Sequence, residues 1–300
     1  MKQNKLGRSE LLVSEIGFGC MSIGTEEDKA VSLLHEALDL GINMLDTADL
    51  YDAGRNEELV GKAIKGRRNE VVLATKVGNR RVPGQEGWVW DASKAYILSA
   101  VKDSLRRLGT DYIDLYQLHG GTLDDPIEET IEAFEQLKRE GVIRYYGISS
   151  IRPNVVREYV SRSNLVSVMS QYSILDRRPE EEILPLIETN GIGLIARGPV
   201  ASGMLVEKGE HKLAKGYLGY AEADLRDFRN AIANAADRPL VETALRYPLA
   251  NPAVACVLAG ASTSEQLRSN VAAASHSPLN DAELEAIRSA VPANVYAQHR

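Results

Sequence analysis

The chain has 300 residues, of which 44% are hydrophobic and 26% are charged, and these proportions are typical of a soluble globular protein rather than a disordered or fibrous one. Its formal net charge of −7, without a basic run, argues against nucleic acid as a partner. The two cysteines, Cys20 and Cys256, belong to no CxxC or His-Cys cluster, so neither a disulfide framework nor a metal site is predicted.

The chain contains no run of about 18 apolar residues that could span a membrane. Its amino terminus also lacks the continuous apolar stretch of a signal peptide. We therefore expect a cytoplasmic protein without a membrane partner. The acidic exterior and the lack of an obvious apolar stripe make a monomer the default expectation.

The predicted elements begin with KLGRSELLVS, which indicates a small β-hairpin that turns near Gly7 to Ser9 and closes the bottom of a barrel. Eight apolar runs then predict strands: EIGFGC, NMLDTA, VVLATK, IDLYQLH, YYGISS, VSVMSQY, GLIARG and AVACVLAG. Segments with helical periodicity lie between them, such as EDKAVSLLHEALDLG, NEELVGKAIKG, ASKAYILSAVKDSLRRLG, PIEETIEAFEQLKREG and EEEILPLIETNG, and several end at a glycine. DAELEAIRSAV predicts a last helix outside the barrel. This alternation, without a linker, favours a single α/β domain over residues 1–300 with the (β/α)8 TIM-barrel fold.

Two predicted loops are longer than usual. GNRRVPGQEGWVWD follows the third strand and carries Trp88 and Trp90, and the stretch from Gly198 to about Asp224 follows the seventh strand. Both should lie on the face where barrel enzymes react. The two indoles could line a substrate pocket there or anchor the loop to the barrel rim.

Four polar residues stand at or just after the carboxyl ends of predicted strands. Asp46, Lys76 and His119 end strands, and Tyr51 lies one turn beyond Asp46. Singly, these residues could be a helix cap, a solvent-facing charge or a satisfied core histidine. Together they suggest a proton-transfer site, because the carboxyl ends of barrel strands share one face.

The chemistry expected of the four residues is general acid catalysis. Tyr51 is the candidate acid, because the Lys76 ammonium and a hydrogen bond from His119 should favour the phenolate and make the proton easier to give away. A buried Asp46 should hold Lys76 charged and oriented. We expect His119 to bond the substrate oxygen or the phenol.

The motifs GINMLDTADLYDAGRNEELVG, LATKV, DYIDLYQLH and GISS followed by SQYS resemble those of the aldo-keto reductases, specifically their bacterial branch, and the resemblance runs over essentially the whole chain. It implies a catalytic tetrad of Asp46, Tyr51, Lys76 and His119. It also implies a nicotinamide cofactor extended across the barrel mouth, with hydride transfer to an aldehyde or ketone as the small-molecule substrate.

The resemblance also implies a set of cofactor-binding residues. Beside Asp46, Ser149 and Gln171 would hold the nicotinamide carboxamide, which their hydroxyl and amide groups suit, with Ser150 nearby. The backbone around Gly19, Cys20 and Met21 would border the ring. The pyrophosphate would meet the loop RGPVASGM, with Arg197, Gly198, Pro199, Val200, Ala201, Ser202 and Gly203. The adenosine end would meet Gly260, Ser262, Gln266 and Asn270, beside a helix start at which Thr263 and Gln266 have capping-box spacing.

Three features of the sequence depart from the family pattern. Relatives commonly place a basic residue at the position of Gly260 or Ser262 to pair with the 2′-phosphate of NADPH, and neither residue is basic here. NADPH is nevertheless the favoured cofactor, with NADH as the alternative. Arg268, in the same helix, could compensate for the missing charge. Arg197 stands where many relatives stack an aromatic ring on the nicotinamide, and its charge should favour the reduced ring over the oxidised one. Gly120 and Gly121 replace a common tryptophan, which should widen the pocket.

Two other functions stay open. One is a cofactor-binding sensor with negligible turnover on the same barrel. The other is a lyase or aldolase that forms a Schiff base on Lys76, which would need a depressed amine pKa that a neighbouring Asp46 opposes. GFGCMS partly matches a Rossmann glycine motif, but no helix opens directly from it, so we discount that match.

Overall fold

The strands of the computed structural model form a closed parallel barrel and two small antiparallel hairpins. The structure describes residues 1–82, 84 and 86–300. In chain order the strands are β1 (Gln3–Lys5), β2 (Leu12–Ser14), β3 (Ile16–Gly19), β4 (Met44–Asp46), β5 (Val72–Val77), β6 (Asn79–Arg80), β7 (Val89–Trp90), β8 (Ile113–Leu118), β9 (Ile143–Ser149), β10 (Ser167–Gln171), β11 (Gly193–Arg197) and β12 (Val254–Ala259). The barrel runs β3-β4-β5-β8-β9-β10-β11-β12 and closes from β12 back to β3, so all eight predicted barrel strands and the TIM-barrel fold are confirmed.

Helices cover the outside of the barrel. They are α1 (Glu27–Asp39), α2 (Arg55–Ile64), α3 (Lys94–Leu108), α4 (Ile127–Arg139), α5 (Pro153–Arg162), α6 (Ile183–Thr189), α7 (Glu222–Ala235), α8 (Leu240–Leu249), α9 (Ser264–Ser275) and α10 (Asp281–Ala290). The predicted glycine stops are present: α3, for example, ends at Gly109, which adopts a left-handed φ of 61°. No helix in the described part of the chain is long and apolar enough to cross a membrane.

The barrel interior is filled by apolar side chains from alternate strand positions, including Met44, Ala74, Leu115, Met169 and Ile195. The same cluster contains Leu6, Leu11 and Val13 of the amino-terminal hairpin, in which β1 pairs with β2. The hairpin therefore packs against the barrel core as predicted. Because the barrel is closed at this end, reactive side chains can collect only at the opposite, carboxyl-terminal mouth.

The long loop after β5 contains a short hairpin of its own, in which β6 pairs with β7. Trp90 donates its indole Nε1–H to Asp125 Oδ1 at 2.7 Å and packs over Gly78 and Gly120, whereas Trp88 is 53% exposed. Trp90 thus anchors the loop to the barrel rim, which is one of the two roles expected of the pair. Pro83 and Gln85 of the predicted loop lie outside the described residues.

Three helices, α5, α7 and α8, are absent from the sequence prediction. Helix α8 is buried over nearly its whole length, including its polar residues, and it contains Pro248. Helix α5 begins with Pro153 in its first turn and is short. Helix α7 starts at the end of the long loop after β11, where a polar sequence masks its periodicity.

Candidate active site

An ion pair lies at the base of the barrel mouth. Lys76 Nζ donates to Asp46 Oδ2 at 2.6 Å and to the Thr47 carbonyl at 2.8 Å, and both charged side chains are almost completely buried. Burial alone would lower the pKa of Lys76, but Asp46 and Tyr51 outweigh it, so that pKa lies above its ordinary value. Gln117 Nε2 donates to the second carboxylate oxygen of Asp46 at 3.3 Å. Asp46 therefore holds Lys76 charged, as the sequence predicted.

Tyr51 begins a short 3-10 turn (Tyr51–Gly54) after β4, and its Oη accepts a hydrogen bond from Lys76 Nζ at 3.3 Å. The expected lowering of its pKa is wrong for this geometry. Burial raises the pKa of Tyr51 more than Lys76 lowers it, and the nearby Asp46 raises it further. The phenol consequently keeps its proton at neutral pH, which is the form that can act as an acid.

His119 follows β8 and stands edge-on to Tyr51, with ring centroids 6.0 Å apart. Burial, followed by the positive charges of Lys76 and Arg197, lowers the pKa of His119 to about 3, so the imidazole is neutral at physiological pH. The predicted hydrogen bond from His119 to the phenol is not among those of the described residues. Within that part of the chain the buried Nδ1 atom of His119 has no hydrogen-bond partner.

The other side of the mouth is lined by the ends of β9, β10 and β11. Ser149 and Ser150 are buried, and Ser150 Oγ accepts from the Arg152 amide at 3.2 Å. Gln171 Oε1 accepts from Arg197 Nη1 at 3.1 Å, while its Nε2 donates to Tyr217 Oη at 2.8 Å. The amide of Gln171 is thus oriented from both sides, yet it retains one lone pair and one N–H for another partner.

The loop after β11 makes a tight turn in which Ala201, Ser202 and Gly203 all have positive φ angles. Lys212 Nζ donates to the Ser202 carbonyl at 3.3 Å, and a Cβ at Gly203 would lie only 2.3 Å from that nitrogen. Glycine is therefore required for the ammonium to come this close. Gly198, Pro199 and Val200 connect the turn to β11.

At the far end of the mouth, the loop after β12 is tied to α9. Gln266 Oε1 accepts from the Ser262 amide at 2.9 Å, and Asn270 Nδ2 donates to the Gly260 carbonyl at 3.1 Å. Only half of the predicted capping box forms: Thr263 accepts from the Gln266 amide, but the Gln266 side chain bonds Ser262 instead. Gly19, Cys20 and Met21 border the mouth from β3, with Met21 67% exposed.

Arg268 of α9 is paired with α1. Its Nε donates to Glu36 Oε1 of α1 at 2.6 Å, and its side chain is 71% exposed. A guanidinium paired with a neighbouring helix does not supply the missing basic residue near Ser262. Glu36 Oε1 also accepts from Ser264 Oγ at 2.8 Å, so Arg268 lies beside the start of α9, and its compensation for that residue stays a prediction.

Sequence reasoning did not single out Gln117, Lys212 or Tyr217. Gln117 could have been found, because a polar residue two positions before His119 must face the barrel interior. Lys212 and Tyr217 lie in the long loop after β11, whose path over the mouth is set by tertiary contacts. No signal in the sequence marks either of them.

The comparisons with known proteins agree with this geometry. The model of the aldo/keto reductase family matches residues 15–292. The chain belongs to the aldo/keto reductase family. The resemblance found in the sequence motifs is therefore confirmed.

Similar proteins cover the whole chain. The oxidoreductase YqkF of Bacillus subtilis (strain 168) is 58% identical over 306 aligned positions that span 100% of both chains. L-galactose dehydrogenase of Arabidopsis thaliana is 31% identical, over 89% of this chain and 86% of its own.

Solved structures share the fold closely. The holo form of aldo-keto reductase AKR11C1 from Bacillus halodurans superposes with a TM-score of 0.95 at 60% identity, and the apo form with 0.88 at 56%; each comparison covers 100% of this chain and 99% of the other. The glycerol dehydrogenase AKR11B4 of Gluconobacter oxydans gives 0.88 at 26% identity, over 99% and 98%. The chain is accordingly an oxidoreductase of a family that reduces small carbonyl compounds and generally binds a nicotinamide cofactor.

Proposed function

We propose that this protein reduces aldehydes or ketones to alcohols with a reduced nicotinamide cofactor, and that Tyr51 is the general acid. The observation that carries the proposal is the contact of Lys76 Nζ with both Asp46 Oδ2 and Tyr51 Oη, at 2.6 and 3.3 Å. This contact joins the buried Asp46–Lys76 ion pair to the phenol of Tyr51, which follows β4.

Each member of the tetrad has a distinct task in this proposal. Tyr51 gives its proton to the carbonyl oxygen of the substrate, and Lys76 stabilises the phenolate that remains. Asp46 keeps Lys76 protonated in a buried position. His119, neutral and with a free ring nitrogen, orients the carbonyl oxygen by a hydrogen bond.

The residues at the mouth fit a nicotinamide cofactor, which when bound would supply the hydride. The spare lone pair and N–H of Gln171, together with the Ser149 hydroxyl, match a carboxamide. The turn at Ala201 to Gly203, with the Lys212 ammonium against it, fits a pyrophosphate.

The choice between NADPH and NADH is part of the proposal. We favour NADPH as the cofactor, as the family resemblance implies, but Arg268 pairs with Glu36 and neither Gly260 nor Ser262 is basic. We therefore expect the preference for NADPH over NADH to be weak. The cytoplasmic location and the monomeric state predicted from the sequence stay predictions.

The two alternatives fare differently. A Schiff base on Lys76 needs a neutral amine, whereas Asp46 holds this amine charged, so a lyase or aldolase is disfavoured. A cofactor-binding sensor would share every contact described at the mouth, and turnover alone separates it from a reductase.

The test is a fluorescence titration of the protein with NADPH and with NADH, followed by absorbance measurements with a panel of aldehydes and ketones. We expect binding of both cofactors and oxidation of the bound nucleotide that depends on the carbonyl compound. Binding without turnover across the whole panel would favour the sensor. Absence of binding would contradict the proposed function altogether.

A further inference from the structure

The turn that carries Tyr51 rests on a buried polar platform. Three successive residues in it, Asp52, Ala53 and Gly54, have positive φ angles, so the turn depends on outside contacts to hold its shape. Gly54 lies directly on the side chain of Arg107 from α3, where an added Cβ would be 2.7 Å from Arg107 Cδ. The position of Arg107 therefore sets the position of the turn.

Arg107 is itself held by Glu57 of α2. Its Nε donates to Glu57 Oε2 at 2.7 Å, its Nη2 forms an ion pair with the same oxygen at 2.6 Å, and Thr75 Oγ1 donates to Oε1 at 2.6 Å. Glu57 is fully buried. Both contacts reach the same carboxylate oxygen, and Nη2 also donates to Ser104 Oγ at 3.2 Å, so a second ionised acid nearby would compete with Glu57 for this guanidinium.

Asp49 is that second acid. It lies two residues before Tyr51, its amide donates to the Lys76 carbonyl at 3.4 Å, and its side chain faces a cleft of about 560 Å³ that Arg107 also lines. Within the described part of the chain its buried Oδ1 atom has no hydrogen-bond partner. Asp49 is half-buried, and a charge on it would lie near Glu57 without an ion pair among the described residues, which is unfavourable.

The surrounding charges favour a protonated Asp49. Burial, followed by the charge of Glu57, raises the pKa of Asp49 to about 7, against the opposing effects of Arg107 and Lys76. The titratable groups that face it come from α2, α3, β5 and β8: Glu57, Tyr96, Arg107, Lys76 and Tyr116. Arg80, Arg81, Asp91 and Asp103 line the same cleft, with Arg80 paired to Asp91 at 3.1 Å. Lys76 is likewise committed, to Asp46.

We propose that Asp49 is a positioning residue that must hold a proton for the Tyr51 turn to keep its place, so that loss of this proton slows carbonyl reduction. An ionised Asp49 competes with Glu57 for Arg107. When Arg107 moves, Gly54 loses its support and Tyr51 is displaced from Lys76. The cleft opens to solvent and provides the route for the proton.

The experiment compares the native protein with Asp49→Asn, in which the amide imitates the protonated carboxyl, and with the control Asp103→Asn. Asp103 lies in the same cleft, but its ion pair is with Arg106 rather than Arg107. Steady-state reduction of a reactive aldehyde is followed from about pH 5.5 to about pH 8.5, with kcat and KM determined separately. The pH dependence of urea unfolding is measured on the same three proteins.

In the native protein and in Asp103→Asn, we expect kcat to fall roughly fivefold as the pH rises, because Asp49 loses its proton in a single step centred near neutral pH. In Asp49→Asn this step should be absent, with kcat at the native low-pH level. The same step in Asp49→Asn would overturn the proposal, and so would loss of its activity at every pH.

The role of Asp49 rests on the proposed function, and unfolding separates the two. If the native protein reduced no carbonyl compound, the proposed function would fail. A proton on Asp49 would still be detected by unfolding. As the pH rises from about 4 to about 7, the urea midpoint of the native protein would drop relative to that of Asp49→Asn, because the unfolded chain releases the Asp49 proton before the folded protein does. A difference in urea midpoint between the native protein and Asp49→Asn that does not change with pH would overturn the proposal independently of turnover.

Discussion

The Asp46–Lys76 pair offers a direct measure of how strongly the site is coupled to the fold. Asp46→Asn keeps an oxygen that can accept from Lys76 Nζ but removes the negative charge. The two side chains are 5% and 1% exposed and 2.6 Å apart, so the ammonium would be left buried without a counter-ion. Breaking such a pair destabilises a protein by about 3–5 kcal/mol, and we expect the lower end of that range because the hydrogen bond survives.

The destabilisation should also depend on pH. In the native protein the pKa of Lys76 is raised, so its stabilising effect is complete below the unfolded pKa of about 10.4 and is lost as the pH rises through the folded one. In Asp46→Asn, burial is no longer opposed by the carboxylate, and the pKa of Lys76 should fall below its unfolded value. The variant then regains stability as the pH rises, and the difference in free energy of unfolding between it and the native protein becomes smaller.

Urea unfolding of the native protein, Asp46→Asn, Lys76→Met and the double variant measures this coupling. The double variant should lose less free energy of unfolding than the sum of the two single variants, by about 1–3 kcal/mol. Simple additivity, or a loss below about 1 kcal/mol for Asp46→Asn, would show that the pair is not the buried, tightly coupled unit described above.

Two further predictions concern the cofactor. Lys212→Met should raise the Kd for NADPH about tenfold, because an ammonium next to the turn at Gly203 is removed. The control Lys215→Met, in the same segment, should change the Kd little. Equal effects of the two substitutions would refute a specific role for Lys212. Arg197→Tyr should reduce the preference for the reduced over the oxidised cofactor by on the order of threefold, since a positive charge beside the ring is lost, and an unchanged ratio of the two Kd values would contradict this.

Much of the site could be predicted from the sequence because the barrel itself determines it. Asp46, Lys76 and His119 lie at or just after strand ends, and the carboxyl ends of eight parallel strands meet at one mouth. The pairing of Asp46 with Lys76 followed from the cost of burying an unpaired charge. These inferences need only strand boundaries and elementary electrostatics.

The features of the site that the sequence did not predict depend on how deeply a group is buried and on the direction in which a side chain points. The raised pKa of Tyr51 results from desolvation, whose extent is set by the tertiary structure. The helix face from which Arg268 reaches Glu36 could not be judged from spacing. Tyr217 reaches Gln171 across 46 positions of sequence, along a loop whose path no local pattern specifies.

The measurement that tests the central claim most directly compares single turnover of the NADPH-loaded native protein and Tyr51→Phe on a reactive aldehyde. If Tyr51 is the general acid, the variant should bind NADPH with native affinity but transfer hydride at least about a hundredfold more slowly, because only the proton donor is lost. Hydride transfer at the native rate in Tyr51→Phe would contradict the assignment of Tyr51 and the mechanism built on it.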